Sequence, residues 1–146
     1  MTFLLWPVKS SLLRYVSALP DGALSVEDGA EADPEAGVFA FPGDPEDPSG
    51  RRFRGDLRLR AHGGMLFVRV ARPALETVDG GGLALTVLAP GEGETEERLV
   101  LAHLAERART DGAVLYDARL SEPGAALFGG YYRPGEELDP LEVRQD

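Results

Sequence analysis

Apolar residues recur at spacings of three and four along the opening of the chain, where Val8, Leu12, Tyr15, Val16 and Leu19 form one stripe uninterrupted by glycine. That is the helical period, and it predicts one amphipathic helix from Pro7 to about Ala18. Pro7 suits a first helical turn, Trp6 can staple the entry, and Leu19-Pro20-Asp21-Gly22 stops the helix. From 21 to 48 the chain is acidic and rich in Gly and Pro, which predicts loop with one short strand over 37–41 (GVFAF). Residues 53–61 then largely alternate apolar and polar, the period of a strand with one buried face, and 65–72 are again strand-like after Gly63-Gly64. A two-residue Gly-Gly loop favours a tight hairpin, because both central residues take positive φ at little cost. Further strands are predicted at 83–89, 98–104 and 113–120, separated by the turn clusters GEGE and ARTDG. A short helix over 123–127, a GGYY segment and an exposed acidic end at 141–146 complete the chain.

One helix followed by short strands, with connections too short and too glycine-rich for crossover helices, predicts a mainly β fold. The expected architecture is an antiparallel sheet or sandwich-like single domain over 1–146, with the N-terminal helix packed against it and a short C-terminal helix. Composition agrees: 18 Gly and 11 Pro are more than a helical bundle tolerates, and 146 residues can bury a core without disulfides or a structural metal. The absence of cysteine excludes disulfide frameworks, thiolate metal sites, iron–sulfur clusters and cysteine nucleophiles. A formal net charge of −10 argues against a nucleic-acid surface. No apolar run approaches the roughly 20 residues of a membrane span. The opening FLLWPV lacks the basic leader and cleavage site of a signal peptide, so the expected location is the cytoplasm, or the cell surface and beyond if a leader has been removed.

With Gly63-Gly64 as the loop, His62 faces Met65, Ala61 faces Leu66, Arg60 faces Phe67, Leu59 faces Val68, Arg58 faces Arg69 and Leu57 faces Val70. One face of this hairpin is an ordinary core face of Leu57, Leu59, Ala61, Leu66, Val68 and Val70. The other collects His62, Met65 and Phe67 beside Arg58, Arg60 and Arg69. Such a face suits a flat apolar ligand carrying carboxylates, although alternating arginines also describe a plain solvated face. Tyr15 lies one helical turn after Ser11, a phenol on an otherwise apolar stripe, and reads either as a rim tyrosine or as a ligand.

Three blocks connect these residues. The run Leu5-Trp6-Pro7-Val8-Lys9-Ser10-Ser11-Leu12-Leu13-Arg14-Tyr15-Val16 resembles the W-G-V-K-x-S-F-R-x-Y-V opening of the HtaA domain family of actinobacterial haem-uptake proteins. Phe53-Arg54-Gly55 through Ala61-His62-Gly63-Gly64-Met65-Leu66 is similar to its F-x-G … G-H-x-G-x-L block. Ser121 to Ala125, Phe128-Gly129-Gly130-Tyr131-Tyr132, Gly135 and Leu138-Asp139-Pro140 are similar to its closing G-A … F-G-G-F-Y-x-x-G-x-x-L-D-P block. The resemblance implies a domain that binds ferric haem through an axial oxygen at Tyr15, with His62 hydrogen-bonded to that tyrosine and the helix packed over the His62 end of the hairpin. Ser11 and Tyr132 join the candidate haem site, Met65 and Phe67 are candidates for its wall, and Arg58 or Arg60 for a propionate; the wall and propionate roles come from the hairpin register. The implied partners are haem and a haem donor or acceptor protein, with a homodimer left open.

The chain also departs from the family, having Pro7 for a glycine and Leu12-Leu13 for a Phe-Arg pair, so an HtaA-fold interaction module without haem is the alternative reading. No catalytic motif supports an enzyme: there is no G-x-S-x-G elbow, and Asp79-Gly80-Gly81-Gly82 lacks the G-K-[S/T] of a phosphate loop and reads as a turn. His103 falls on the same strand face as Leu99 and Leu101 and reads as a packed or edge histidine rather than a metal ligand, and the acidic stretches at 92–97 and 136–139 are expected to be solvated loops.

Overall fold

A computed structural model describes residues 1–91 and 95–145; the GEGE turn falls largely outside them. The strands are β1 (Thr2–Trp6), β2 (Ala23–Glu27), β3 (Glu31–Asp33), β4 (Val38–Pro42), β5 (Asp56–Ala61), β6 (Leu66–Ala71), β7 (Ala74–Thr77), β8 (Leu83–Pro90), β9 (Glu96–Arg109), β10 (Ala113–Leu120) and β11 (Glu137–Gln145). Two helices, α1 (Ser10–Ala18) and α2 (Glu122–Leu127), complete the element order. An eight-stranded sheet runs β3-β4-β1-β11-β10-β9-β8-β7 and a three-stranded sheet runs β2-β5-β6. Every strand pairing is antiparallel, as the short glycine-rich connections require.

The chain ends do not follow the sequence reading. Residues 2–6 form a strand, with Leu4 and Trp6 fully buried, and α1 starts at Ser10. Pro7 therefore precedes the helix, and Val8 turns the chain with φ 65°, rare for a β-branched residue and tolerated because Val8 is wholly buried. The acidic end is no tail up to 145: β11 lies between β1 and β10 in the middle of the large sheet and buries Leu138 and Leu141. A bulge between Tyr116 and Ala118 spaces those leucines by three, so the period-two signal of a strand is broken in the sequence. Pro140 sits in this irregular stretch, where a missing N–H costs least.

The two ends are locked together around Asp139. The Trp6 indole Nε1 donates to the Asp139 carbonyl at 2.7 Å, and the Asp139 N–H donates to the Val8 carbonyl at 3.0 Å. Its carboxylate accepts from the Ser10 N–H at 3.1 Å and from the Ser10 hydroxyl. Lys9, at the N-cap position, gives no side-chain cap, so a carboxylate from the far end of the chain satisfies the first turn of α1 and favours its positive end.

The hairpin β5–β6 has the expected register, from Leu57 opposite Val70 to Ala61 opposite Leu66. Its inner face, Leu57, Leu59, Ala61, Leu66, Val68 and Val70, is at most 2% exposed and packs in one core with Leu85, Leu101 and Phe41. Gly55 opens β5 at φ +123°, and a Cβ there would lie 2.7 Å from the Ala30 Cβ and 2.8 Å from the Phe41 ring, so only glycine fits.

Candidate functional site: a phenol–imidazole pair at the hairpin tip

The tip of the hairpin is a four-residue turn, His62 to Met65, closed by the Met65 N–H on the His62 carbonyl at 3.1 Å. Helix α1 lies over the inner face of β5, with Leu13 and Val16 close to Leu59, and this brings Tyr15 to the turn. The Tyr15 hydroxyl is 2.6 Å from His62 Nε2, a hydrogen bond between side chains 47 residues apart. The Tyr131 ring lies near-parallel to the imidazole, with centroids 6.4 Å apart and planes at 24°. A shallow groove of about 220 Å³, lined by Leu12, Tyr15, Leu66, Tyr131 and Tyr132, runs beside the pair. Tyr15 is 48% exposed and Tyr131 51%, so aromatic surface is presented to solvent at the hairpin tip.

The phenols differ in their surroundings. Burial and, secondarily, the Glu136 carboxylate push the Tyr132 phenol above its ordinary value, which keeps it protonated. Tyr132 packs edge-on against Phe128, and the Lys9 ammonium lies 5.8 Å from its ring centroid. That ammonium is already held, donating to the Glu137 carbonyl at 2.8 Å. Tyr15 alone among the groove phenols hydrogen-bonds the imidazole among the described residues, and an imidazole nitrogen at that distance can take its proton.

Of the residues anticipated around Tyr15, His62 hydrogen-bonds it and Tyr132 lines the groove with it, whereas Ser11 sits exposed one turn before it on α1 and Met65 is exposed at the hairpin tip, outside the groove lining. Arg58, Arg60 and Phe67 do not join them, because α1 covers the inner face of the hairpin and these three side chains belong to the outer face. The Arg60 guanidinium lies 5.0 Å over the Phe67 ring, and Phe67 lines a separate cleft with Leu88 and Leu127. Arg58 and Arg69 both bind the Asp56 carboxylate, at 3.1 and 2.9 Å. Burial alone would raise the Asp56 carboxyl, but the hydrogen bonds from Arg58 and Arg69 outweigh it and hold the group below its ordinary value. A depressed carboxyl stabilises the fold above its unfolded pKa, and that contribution disappears as pH falls through the folded value. Asp56→Asn is therefore expected to cost about 1–2 kcal/mol at pH 7, with the difference from wild type shrinking below pH ~4; urea unfolding at the two pH values measures it.

His103 is exposed, so of the packed and edge positions expected of it the packed one does not hold. A bulge in β9, where Leu101 is the extra residue opposite the Leu85–Thr86 step of β8, places both Leu101 and Ala102 inward, which turns His103 out. Sequence reasoning also missed Tyr131, for which the GGYY segment was a usable signal, and Asp21, whose carboxylate accepts the Gly63 N–H at 2.8 Å. The Asp79 to Gly82 run is a turn as expected, with the Val78 N–H bonded to the Gly82 carbonyl. Among the described residues no group of three or more His, Cys, Asp or Glu is placed to hold a metal ion, and no helix is long and apolar enough to cross a membrane.

These features define a class: a mainly antiparallel β domain that presents a tyrosine–histidine pair in a shallow aromatic groove at a hairpin tip. The chain belongs to the HtaA family, whose profile, described as Htaa, matches residues 2–144. Its fold is similar to that of the C-terminal domain of HtaA from Corynebacterium glutamicum, with TM-score 0.73, 22% identity, and coverage of 97% of this chain and 93% of that one. The N-terminal domain of the same protein is similar at TM-score 0.73 and 21% identity, covering 99% and 96% of the two chains. The heme binding protein HtaB from Corynebacterium glutamicum is similar at TM-score 0.72 and 18% identity, covering 98% and 92%. No curated protein matches the chain significantly.

Proposed function

We propose that the chain binds ferric haem through Tyr15, with His62 tuning the phenol, in haem transfer, buffering or uptake. The observation that carries this reading is the 2.6 Å contact between the Tyr15 hydroxyl and His62 Nε2 on the wall of the aromatic groove. The similarity to a protein described as heme binding supports it.

The donor set fits the group. When bound, ferric haem supplies a cationic Fe(III) that takes a hard anionic oxygen, and tyrosine is an established axial ligand. A phenol of ordinary pKa near 10 must lose its proton to serve, and His62 Nε2 is placed to accept it and to return a hydrogen bond to the phenolate. Tyr132 is less suited to the role, since burial and Glu136 disfavour its phenolate. Leu12, Leu66 and the ring of Tyr131 offer apolar contact. A groove of about 220 Å³ is smaller than the roughly 300 Å³ at which enclosed ligand sites begin, so it covers one side of a flat ligand and leaves the other to solvent, a donor or acceptor protein, or a second copy. Such an open site suits exchange.

Titration of the purified protein with hemin, followed by absorbance, tests this directly. Saturable one-to-one binding is expected; absence of saturation would overturn the reading and leave an HtaA-fold interaction module. Because a phenolate favours Fe(III) over Fe(II), reduction with dithionite is expected to speed haem transfer to apomyoglobin by about tenfold or more. Stopped-flow absorbance of the loaded protein with and without reductant checks this.

A further inference from the structure

The tip that carries His62 is held in an unfavourable shape. Three successive residues adopt left-handed backbone conformations, with φ of 53° at His62, 63° at Gly63 and 90° at Gly64. Glycine accepts this readily and histidine only where its surroundings impose it. Strand pairing reaches no farther than Ala61 and Leu66, so the ladder alone does not fix the turn. The Gly63 N–H instead points out of the hairpin and donates to the Asp21 carboxylate at 2.8 Å.

Asp21 is well placed to resist movement. It leaves α1 through Leu19 and Pro20, where the Leu19 N–H bonds the Val16 carbonyl at 3.2 Å and the Gly22 N–H bonds the Leu19 carbonyl at 3.1 Å. At Gly22 a Cβ would lie 1.9 Å from the Val16 carbonyl oxygen, so this exit is pressed onto the helix end. The carboxylate is held below its ordinary value first by the Gly63 hydrogen bond and then by the neighbouring His62 backbone N–H and imidazole. Helix α1 and the turn that ends it thus grip the hairpin tip twice, through Tyr15 on the imidazole and through Asp21 on the backbone one residue farther on.

We propose that Asp21 is a positioning residue, whose hydrogen bond to the Gly63 N–H holds the turn in the shape that places His62 Nε2 on the Tyr15 hydroxyl. Its consequence for haem retention rests on the function proposed above; the positioning itself belongs to the protein without ligand.

Asp21→Ala and Asp21→Asn separate the two, because asparagine keeps a side-chain carbonyl for the Gly63 N–H. In the apo-protein, Asp21→Ala is expected to speed Gly63 amide exchange by about tenfold and to shift the His62 imidazole ¹⁵N resonances away from their hydrogen-bonded positions. Asp21→Asn is expected to restore both nearly to wild type. In the hemin-loaded protein, Asp21→Ala should release hemin about tenfold faster and Asp21→Asn within about threefold of wild type. His62 imidazole resonances unchanged in Asp21→Ala, or Asp21→Asn behaving like Asp21→Ala, would overturn the proposal. Should the wild type bind no hemin, the function reading fails while the apo-protein resonances still decide the role of Asp21.

Discussion

Tyr15→Phe is expected to abolish saturable ferric haem binding, while His62→Ala weakens it by about 10–100-fold and leaves some binding in place. The asymmetry follows from the roles the geometry allots. Removing the Tyr15 hydroxyl removes the one groove oxygen with a base at 2.6 Å to take its proton. Tyr132 has no imidazole on its hydroxyl among the described residues, and burial and Glu136 disfavour its phenolate. Removing the imidazole leaves the phenol in place but without its hydrogen-bonded proton acceptor, so binding weakens without being lost. Phenylalanine at 15 preserves the ring and the packing of a half-exposed side chain, so the fold is not at stake. Hemin titrations of the two variants at pH 7 measure both effects.

Trp6→Ala is expected to be the most damaging single substitution for stability, at about 3–5 kcal/mol, a large share of the roughly 5–15 kcal/mol that holds a domain of ordinary stability together. Trp6 is fully buried in β1, between β4 and β11, and its indole satisfies the Asp139 carbonyl. Truncation leaves a cavity in the core and an unpaired acceptor at the point where the two chain ends and the first turn of α1 meet. Thermal unfolding should fall by roughly 10–15 °C. Trp6→Phe keeps most of the volume and loses the hydrogen bond, and should cost about 1–2 kcal/mol. Because Trp6 and Asp139 anchor the start of the helix that carries Tyr15, haem binding by Trp6→Ala should weaken well below its melting temperature.

The parts of this molecule that could be read from its sequence are those where local pattern and tertiary environment agree. The hairpin over 56–71 alternates cleanly because one face is wholly buried, and its register follows from the Gly63-Gly64 turn. β10 (Ala113–Leu120) and α2 (Glu122–Leu127) agree closely with expectation for similar reasons. β1 was hidden because Trp6 and Pro7 also look like the staple and first turn of a helix, whereas the strand is imposed by pairing with β4 and β11. β2 and β3 lie at the edges of their sheets and are largely exposed; β3 is Glu-Ala-Asp with no hydrophobic period, and β2 offers only Leu24 and Val26 within an acidic, Gly- and Pro-rich stretch. β11 is central, yet its bulge and Pro140 break the alternation that would have revealed it.

The site divides in the same way. Tyr15 and His62 were named through the family resemblance, and periodicity alone does not bring a helix to a hairpin tip. The assignment of Arg58, Arg60 and Phe67 assumed that ligand and arginines share a face; α1 occupies the opposite one, and Arg58 is committed to Asp56. Asp21 and Asp139 act across 42 and 129 residues of sequence, on Gly63 and Ser10, and nothing local announces either contact.

The central claim is that the Tyr15 oxygen, among three tyrosines at one groove, binds the ferric iron. Resonance Raman spectra of the hemin complex, excited in the phenolate-to-iron charge-transfer band, address it for the wild type, Tyr15→Phe and a Tyr131→Phe/Tyr132→Phe double variant. The account predicts phenolate modes in the wild type and the double variant and none in Tyr15→Phe. Phenolate modes that persist in Tyr15→Phe, or vanish in the double variant, would contradict it.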